Sequence, residues 1–444
     1  MRGMGNQSEF RTIVATLTKF SLPLIFSGIL QQLYSWADAF IVGNVEGETA
    51  LAAIGSTSTA VNFYLTAITG FTLGLSVLFA QKFGSRQTGA IPQILSTFTA
   101  LFAGLFTVLA GVGILLASPL LRLLNTTPDT MELARQYLQV VFLGVPFLAV
   151  YNVYSAALRG VGDSRAPFWS VLISSLVNIV LDILFVAAFS WGVAGAAVAT
   201  VLSQVVMTVF IIGYSNKRHE LVRFSPRSVS ANALRQGARF GLPPMIQSSV
   251  SSFGSLILQN FMNSFGTQTV AAITTAYRVD SIVMLPIINL GSGISTIVAQ
   301  NYGAGDNRRA KHTFYVGAGL MTAVSLILTA LVIPFGGVVI GLFGVGQTAI
   351  AIGQEFFRGI ASFYLVFGLA TAVRGYLEGL GDMFYSGLAG ILSLVVRIVF
   401  SYLFRGPFGN MAIAYAEAVC WGVLLVLYLG RLAYKTHARK AAKH

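Results

Sequence analysis

Asn178 and Asp182 stand four residues apart inside one long apolar run, and Asp38 and Thr200 lie in two other such runs. Residues four apart share one face of a helix. An ionisable side chain at membrane depth is costly and marks a functional site by default. Away from the ends of the apolar runs, the ionisable residues besides Asp38 and Asp182 are Arg278, Asp280, Arg397 and Glu417, with Glu355 and Arg358 near a run's outer end. Carboxylate, amide and hydroxyl oxygens together suit a hard cation such as sodium. Two carboxylates close together in a low dielectric can instead share a proton. The plainer alternative is that Asp182 only completes polar contacts with Asn178.

The elements that position these side chains are transmembrane helices. Of 444 residues 55% are hydrophobic and 10% charged, against about 25% charged in a soluble chain. A bilayer core needs about 20 apolar residues in helical form. Twelve such runs are predicted: 17–42, 50–80, 91–117, 132–157, 167–189, 193–214, 234–265, 269–300, 310–335, 351–376, 383–404 and 410–434. The first continues straight into a span, so the N-terminus does not read as a cleavable signal. With about 1.5 Å per residue, Asp38 lies roughly 6 Å from the outer end of its run, and Asp182 and Thr200 roughly 10 Å from theirs. The three share a depth in the outer half of the first six spans.

The net charge of +13 does not point to nucleic acid. Arg122, Arg135, Arg358 and Arg405 fall on one side of the spans. The other Lys and Arg of the loops and tails, among them Arg2, Lys82, Arg86, Lys217, Arg218, Arg308, Arg309, Arg439, Lys440 and Lys443, fall on the opposite side. Short basic loops mark the cytoplasmic face, which places both termini there. The lone Cys420 and the four histidines, His219, His312, His437 and His444, fit neither a disulfide framework nor a buried metal site.

The second half repeats the first. Phe20-Ser21-Leu22-Pro23 returns as Phe240-Gly241-Leu242-Pro243. Ala80-Gln81-Lys82-Phe83-Gly84 returns as Ala299-Gln300-Asn301-Tyr302-Gly303, and Leu158–Asp163 as Leu377–Asp382. Six spans per repeat is an even number, so both halves enter the membrane in the same direction. The prediction is an all-α membrane protein with twelve transmembrane helices in two six-helix lobes, related by a pseudo-two-fold axis along the membrane normal. The expected division is 1–214, a cytoplasmic linker 215–232, and 233–444, with a cleft between the lobes. Gly160-Val161-Gly162-Asp163 matches an intramembrane aspartyl-protease signature. Its recurrence at Gly379–Asp382, at a helix–loop boundary, reads instead as a repeated turn, and no enzymatic activity is expected. Pro23 and Pro243 occupy matched positions, and Pro23 is a candidate hinge upstream of Asp38.

The repeat sets Arg397 opposite Asn178, Ser401 opposite Asp182 and Glu417 opposite Thr200. Arg397 and Glu417 share a depth and are expected to pair, a fixed charge where the first half has an exchangeable one. The alternative is that Glu417 meets substrate. Arg278 and Asp280, two apart, do not face each other, and each is expected to pair with another helix.

The chain resembles the multidrug and toxic compound extrusion (MATE) family over nearly its whole length. The resemblance rests on Gln31-Gln32-Leu33-Tyr34 with Asp38 and Gly43, Ala80–Gly84, the Arg159–Asp163 turn, Asn178 with Asp182, and Gly192–Ala197. It implies a proton- or sodium-driven antiporter of cationic amphipathic compounds, with no organic cofactor and with Asp38, Asn178, Asp182 and Thr200 as the cation-coupling site. A lipid-linked precursor flippase of the same superfamily and a passive channel are the alternatives. A monomer in contact with membrane lipids of a bacterial or archaeal inner membrane is expected.

Overall fold

The computed structural model describes the backbone of residues 2–441 and the side chains of residues 8–437. Met1 and the side chains of Arg2, Arg439, Lys440, Lys443 and His444 lie outside the described residues. The first half comprises α1 (Arg2–Glu46), α2 (Glu48–Gly84), α3 (Ala90–Leu115), the short α4 (Ala117–Leu123), α5 (Pro128–Phe142), α6 (Val145–Gly160), α7 (Arg165–Asp182) and α8 (Gly192–Arg218). The second comprises α9 (Ala231–Asn263), α10 (Thr267–Val283), α11 (Leu285–Gly303), α12 (Asn307–Gly341), α13 (Gln347–Ala361), α14 (Tyr364–Gly379), α15 (Met383–Leu403), the short α16 (Arg405–Phe408) and α17 (Ala412–Ala441). The described residues form no strand. In lipid every backbone polar group must be satisfied internally, and a helix does this within itself.

Among the described residues, nine helical stretches are long and apolar enough to cross a membrane, and two bent pairs, each taken as one span, bring the number to eleven. The twelfth expected span, 234–265, falls on α9, which has 33 residues but is not among those that pass on apolarity. Arg235, Arg239, Gln247 and a run of serines dilute it. The two bends are repeat partners. α5 and α6 meet at 44° across Leu143 and Gly144, and α13 and α14 at 47° across Ser362 and Phe363.

The glycines of the repeated Gly-x-Gly-Asp turns serve the same ends in both halves. A Cβ on Gly160 would stand 2.4 Å from Phe79 Cβ, and one on Gly379 would stand 2.7 Å from Val298 Cγ1. The first glycine thus lets α6 close on α2, and α14 on α11. Gly162 and Gly381 have φ of 95° and 86°, a left-handed turn open to glycine at little cost. Asp163 Oδ1 then accepts from the Arg165 and Ala166 amides at the start of α7. The glycine turn is common to both copies, but only Asp163 bonds the start of the next helix; Asp382 makes no such cap.

The chain packs as two compact units, one of residues 26–241 and one of residues up to 25 together with 242 onward. These packing units cross the sequence division at 214 and 233, because α1 and α9 each pass from one unit to the other. The passages fall at Ile25/Phe26 and Gly241/Leu242, beside the matched prolines Pro23 and Pro243. In the unit of residues 26–241, a buried cluster of Val42, Ala50, Tyr137, Val141, Val186, Val193, Ala196 and Ala197 knits α1, α2, α5 and α8 together. The core of the other unit includes Phe356, Phe357, Ile360, Tyr364 and Trp421.

Candidate functional site

Three elements of the 26–241 unit bring the predicted acids together. α1 carries Asp38, α7 carries Asn178 and Asp182 one turn apart, and α8 packs along α7 and carries Thr200. Asp182 and Asn178 are almost wholly buried, at 0% and 1% exposure. The Asp38 and Asp182 carboxyls face each other within hydrogen-bonding range once one of them holds a proton. As carboxylates they have no donor between them. Oδ1 of Asp38, both oxygens of Asp182, and the amide oxygen and nitrogen of Asn178 are buried without a hydrogen-bond partner. Buried polar groups left unpaired cost a few kcal/mol each and are rare. A proton between the oxygens, a small cation or a water molecule would each complete such a pair.

Thr200 is half-buried, and its hydroxyl donates to Ala196 O at 3.0 Å. Its hydrogen is committed within α8, so only its oxygen lone pairs are free to meet a cation. Pro23 sits inside an unbroken α1, two residues before the helix changes unit.

Two features of this site went unread in the sequence. α7 passes into a π-helical turn, Ile183–Ala188, directly after Asp182. Such wide turns interrupt the regular ladder and occur frequently at functional sites. Two tyrosines also lie beside the acids, and a third lies beside those two. Tyr34 lies one turn before Asp38, and Tyr137 of α5 is in electrostatic reach of both carboxylates, as is Tyr34. Tyr64 of α2 adjoins both phenols. The i,i+4 spacing of Tyr34 and Asp38 was the available signal.

The second half holds a different constellation. Arg397 Nη2 donates to Glu417 Oε2 at 2.9 Å and to Tyr277 Oη at 2.8 Å, and Tyr277 donates to the same Glu417 oxygen at 2.8 Å. Asp280 is buried and accepts from Tyr364 Oη at 2.5 Å. Ser401, opposite Asp182 in the repeat, donates to Arg397 O. Arg278 departs from the expectation of a partner on another helix. It is exposed, and it forms no hydrogen bond or ion pair with the described residues. Tyr277 and Asp280 take the buried face of α10, and the 100° step per residue turns Arg278 away from it.

An all-helical chain of membrane-crossing length, with a donorless carboxylate pair sunk in one unit, has the make-up of a polytopic membrane transporter. The chain belongs to the MatE family, whose profile matches residues 23–184 and 243–403. The two matched segments start at Pro23 and Pro243 and cover the two halves of the repeat. The chain is 30% identical over 403 residues to the probable multidrug resistance protein YpnP of Bacillus subtilis (strain 168), covering 90% of each protein. It is 23% identical over 438 residues to the multidrug export protein MepA of Staphylococcus aureus (strain NCTC 8325 / PS 47), covering 95% of each. Among solved structures, a MATE in the bent conformation superposes with a TM-score of 0.89 at 23% identity, covering 99% of both chains. The outward-facing conformation of a multidrug resistance MATE family transporter of the MOP superfamily gives 0.88 at 23%, covering 97% of this chain and 96% of that one. The fold is thus that of MATE transporters, all-α with two lobes of six helices.

Proposed function

We propose that the protein is a secondary active exporter of cationic amphipathic compounds, driven by protons or sodium entering at Asp38 and Asp182. The observation that carries this reading is the acid pair: the buried Asp182 carboxyl beside that of half-buried Asp38, with no donor between them. A structural pair is ordinarily satisfied by its neighbours; this one has no donor among the described residues, which supports an exchangeable ion as its partner. Asn178 supplies an amide oxygen and Thr200 a hydroxyl oxygen to the bound ion. The names of the relatives, a multidrug export protein among them, support the substrate class.

Ion entry cancels charge in a low-dielectric site and changes how α1 packs around Asp38. Pro23 leaves the carbonyl four residues before it without its helical donor, so α1 yields there at little cost. Compound and ion then bias one conformational equilibrium in opposite senses, and linkage makes that opposition reciprocal. The protein works as a monomer in a cytoplasmic membrane with both termini inside.

The test is efflux from proteoliposomes under an imposed sodium gradient and then a proton gradient. Wild-type protein concentrates a cationic dye under one of them. Asp38→Asn and Asp182→Asn each abolish this while inserting normally, because the amide fills the same volume without the charge. Removing the Thr200 hydroxyl weakens coupling less. A double asparagine variant that still moves dye uphill removes these acids from the coupling step.

A further inference from the structure

We infer that Arg278 anchors an anionic group of the transported compound, so that the protein takes amphipaths bearing a carboxylate as well as simple cations. This rests on the transport reading above and adds a substrate class to it.

α10 has two chemically distinct faces. Thr269, Ala272, Ile273, Ala276, Val279 and Asp280 are buried in the core of their unit. Gln268, Ala271, Arg278 and Ser281 are exposed along the other face, with half-buried Thr275 between them. Their spacing of three, four, three and three residues makes one stripe. Helices that meet lipid in this protein look different. α12 exposes Leu326, Ile327, Leu331, Phe335 and Val338, and α3 exposes Leu101, Leu105, Val108, Leu109 and Val112. The α10 stripe has no large apolar residue. A charged, hydroxyl-bearing stripe at this depth does not face hydrocarbon; it lines water. Arg278 is eleven residues into α10, about 16 Å along its axis, too deep for its side chain to reach the interface beyond Thr267.

The charge has no counter-ion of its own. The nearest acid in sequence, Asp280, is turned into the core toward Tyr364. Glu417 is taken by Arg397 and Tyr277. Ser281 donates to the Arg278 carbonyl and not to its side chain. The repeat partner of Arg278 in the first half is Thr59, so the charge is not part of the shared scaffold. A guanidinium stays protonated and presents five donors in a planar fork that matches a carboxylate bidentately. A wet transport path with such a fork and no protein anion selects an anionic group on its ligand.

Rhodamine 110 carries a free carboxylate, and rhodamine 123 is its methyl ester, so the two dyes differ at one group. Their equilibrium binding is read by fluorescence anisotropy with the full chain in discs of zwitterionic lipid. Wild-type protein binds the acid more tightly than the ester. Arg278→Gln weakens the acid about tenfold, the worth of one charge-assisted contact, and leaves the ester unchanged. Arg278→Lys, which keeps the charge and loses the fork, falls between. A wild-type protein without preference for the acid overturns the inference, as does an Arg278→Gln that weakens both dyes equally. Binding needs no gradient, so a protein that shows this preference and yet fails to pump rhodamine 123 defeats the transport reading alone.

Discussion

Side chains at membrane depth act in this protein in three ways. Asp38 and Asp182 carry buried oxygens without a hydrogen-bond partner, the basis for proposing them as the ion site. Arg278 is exposed and has no hydrogen-bond or ion-pair partner among the described residues. Arg397, Tyr277 and Glu417 bond one another in a triangle through Arg397 Nη2, which leaves only Arg397 Nε of that group buried and unpaired. A buried ion pair contributes little relative to an apolar replacement, but removing one partner strands the other charge. Glu417→Gln should therefore lower stability by about 3 kcal/mol, and the double change Arg397→Met with Glu417→Met should recover much of the loss. Tyr277→Phe removes one neutral donor and should cost about 1 kcal/mol. Thermal unfolding of the purified variants measures all three. A double variant no better than Glu417→Gln would show that the triangle is not a closed structural unit.

At the scale of elements, each half ties its last helix to the turn after its bent span. Asp163 receives His219 Nε2 at 2.8 Å and Tyr214 Oη at 3.2 Å. Asp382 receives Arg431 Nε at 2.8 Å and Lys435 Nζ at 2.9 Å. Burial pushes the Asp382 carboxyl up, and the two cations outweigh it, holding it below the usual carboxylate range. A carboxyl lowered in the folded state contributes stability that is complete above its ordinary value and is lost as pH falls through the lowered one. Asp382→Asn should thus cost about 1–2 kcal/mol at neutral pH for a half-buried pair. The gap to wild type should stay level on acidification to the ordinary carboxylate range and close only below it. Unfolding midpoints of both proteins across that range decide the matter, and a gap that closes near neutrality would implicate another group.

On the scale of the whole chain, the repeat sets where α1 and α9 change packing unit. Both changes fall within two residues of a matched proline. Proline removes one helical hydrogen bond and lowers the cost of bending. Pro244 frees the Phe240 carbonyl, which lies so close to Gly74 that a Cβ there would meet its oxygen. Restoring the donors with Pro23→Ala, or with Pro243→Ala and Pro244→Ala together, should stiffen these passages. The expected result is a several-fold slower initial efflux rate with a thermal midpoint equal to or above that of wild type. Unchanged rates in both variants would make the prolines static packing features.

Much of this architecture is written locally. Runs of about 20 apolar residues must become helices in lipid because no other fold satisfies their backbone, and a near-constant offset of 219 residues can be read without any contact. The acids at 38, 182, 280 and 417 stand out because charge at membrane depth is costly. α9 shows the limit of that signal: it has the length of a span but not the apolarity. Helical period tells which residues share a face, but not toward which neighbour the face is rotated. Only the tertiary structure could bring Asp38 to Asp182 across two helices, set Tyr34 and Tyr137 beside them and Tyr64 beside those two, and seat Arg397 on Glu417. The same rotation about α10 sends Asp280 inward to Tyr364 and leaves Arg278 outside. Two residues of separation turn side chains by about 200°, and packing alone chooses which of the two is buried.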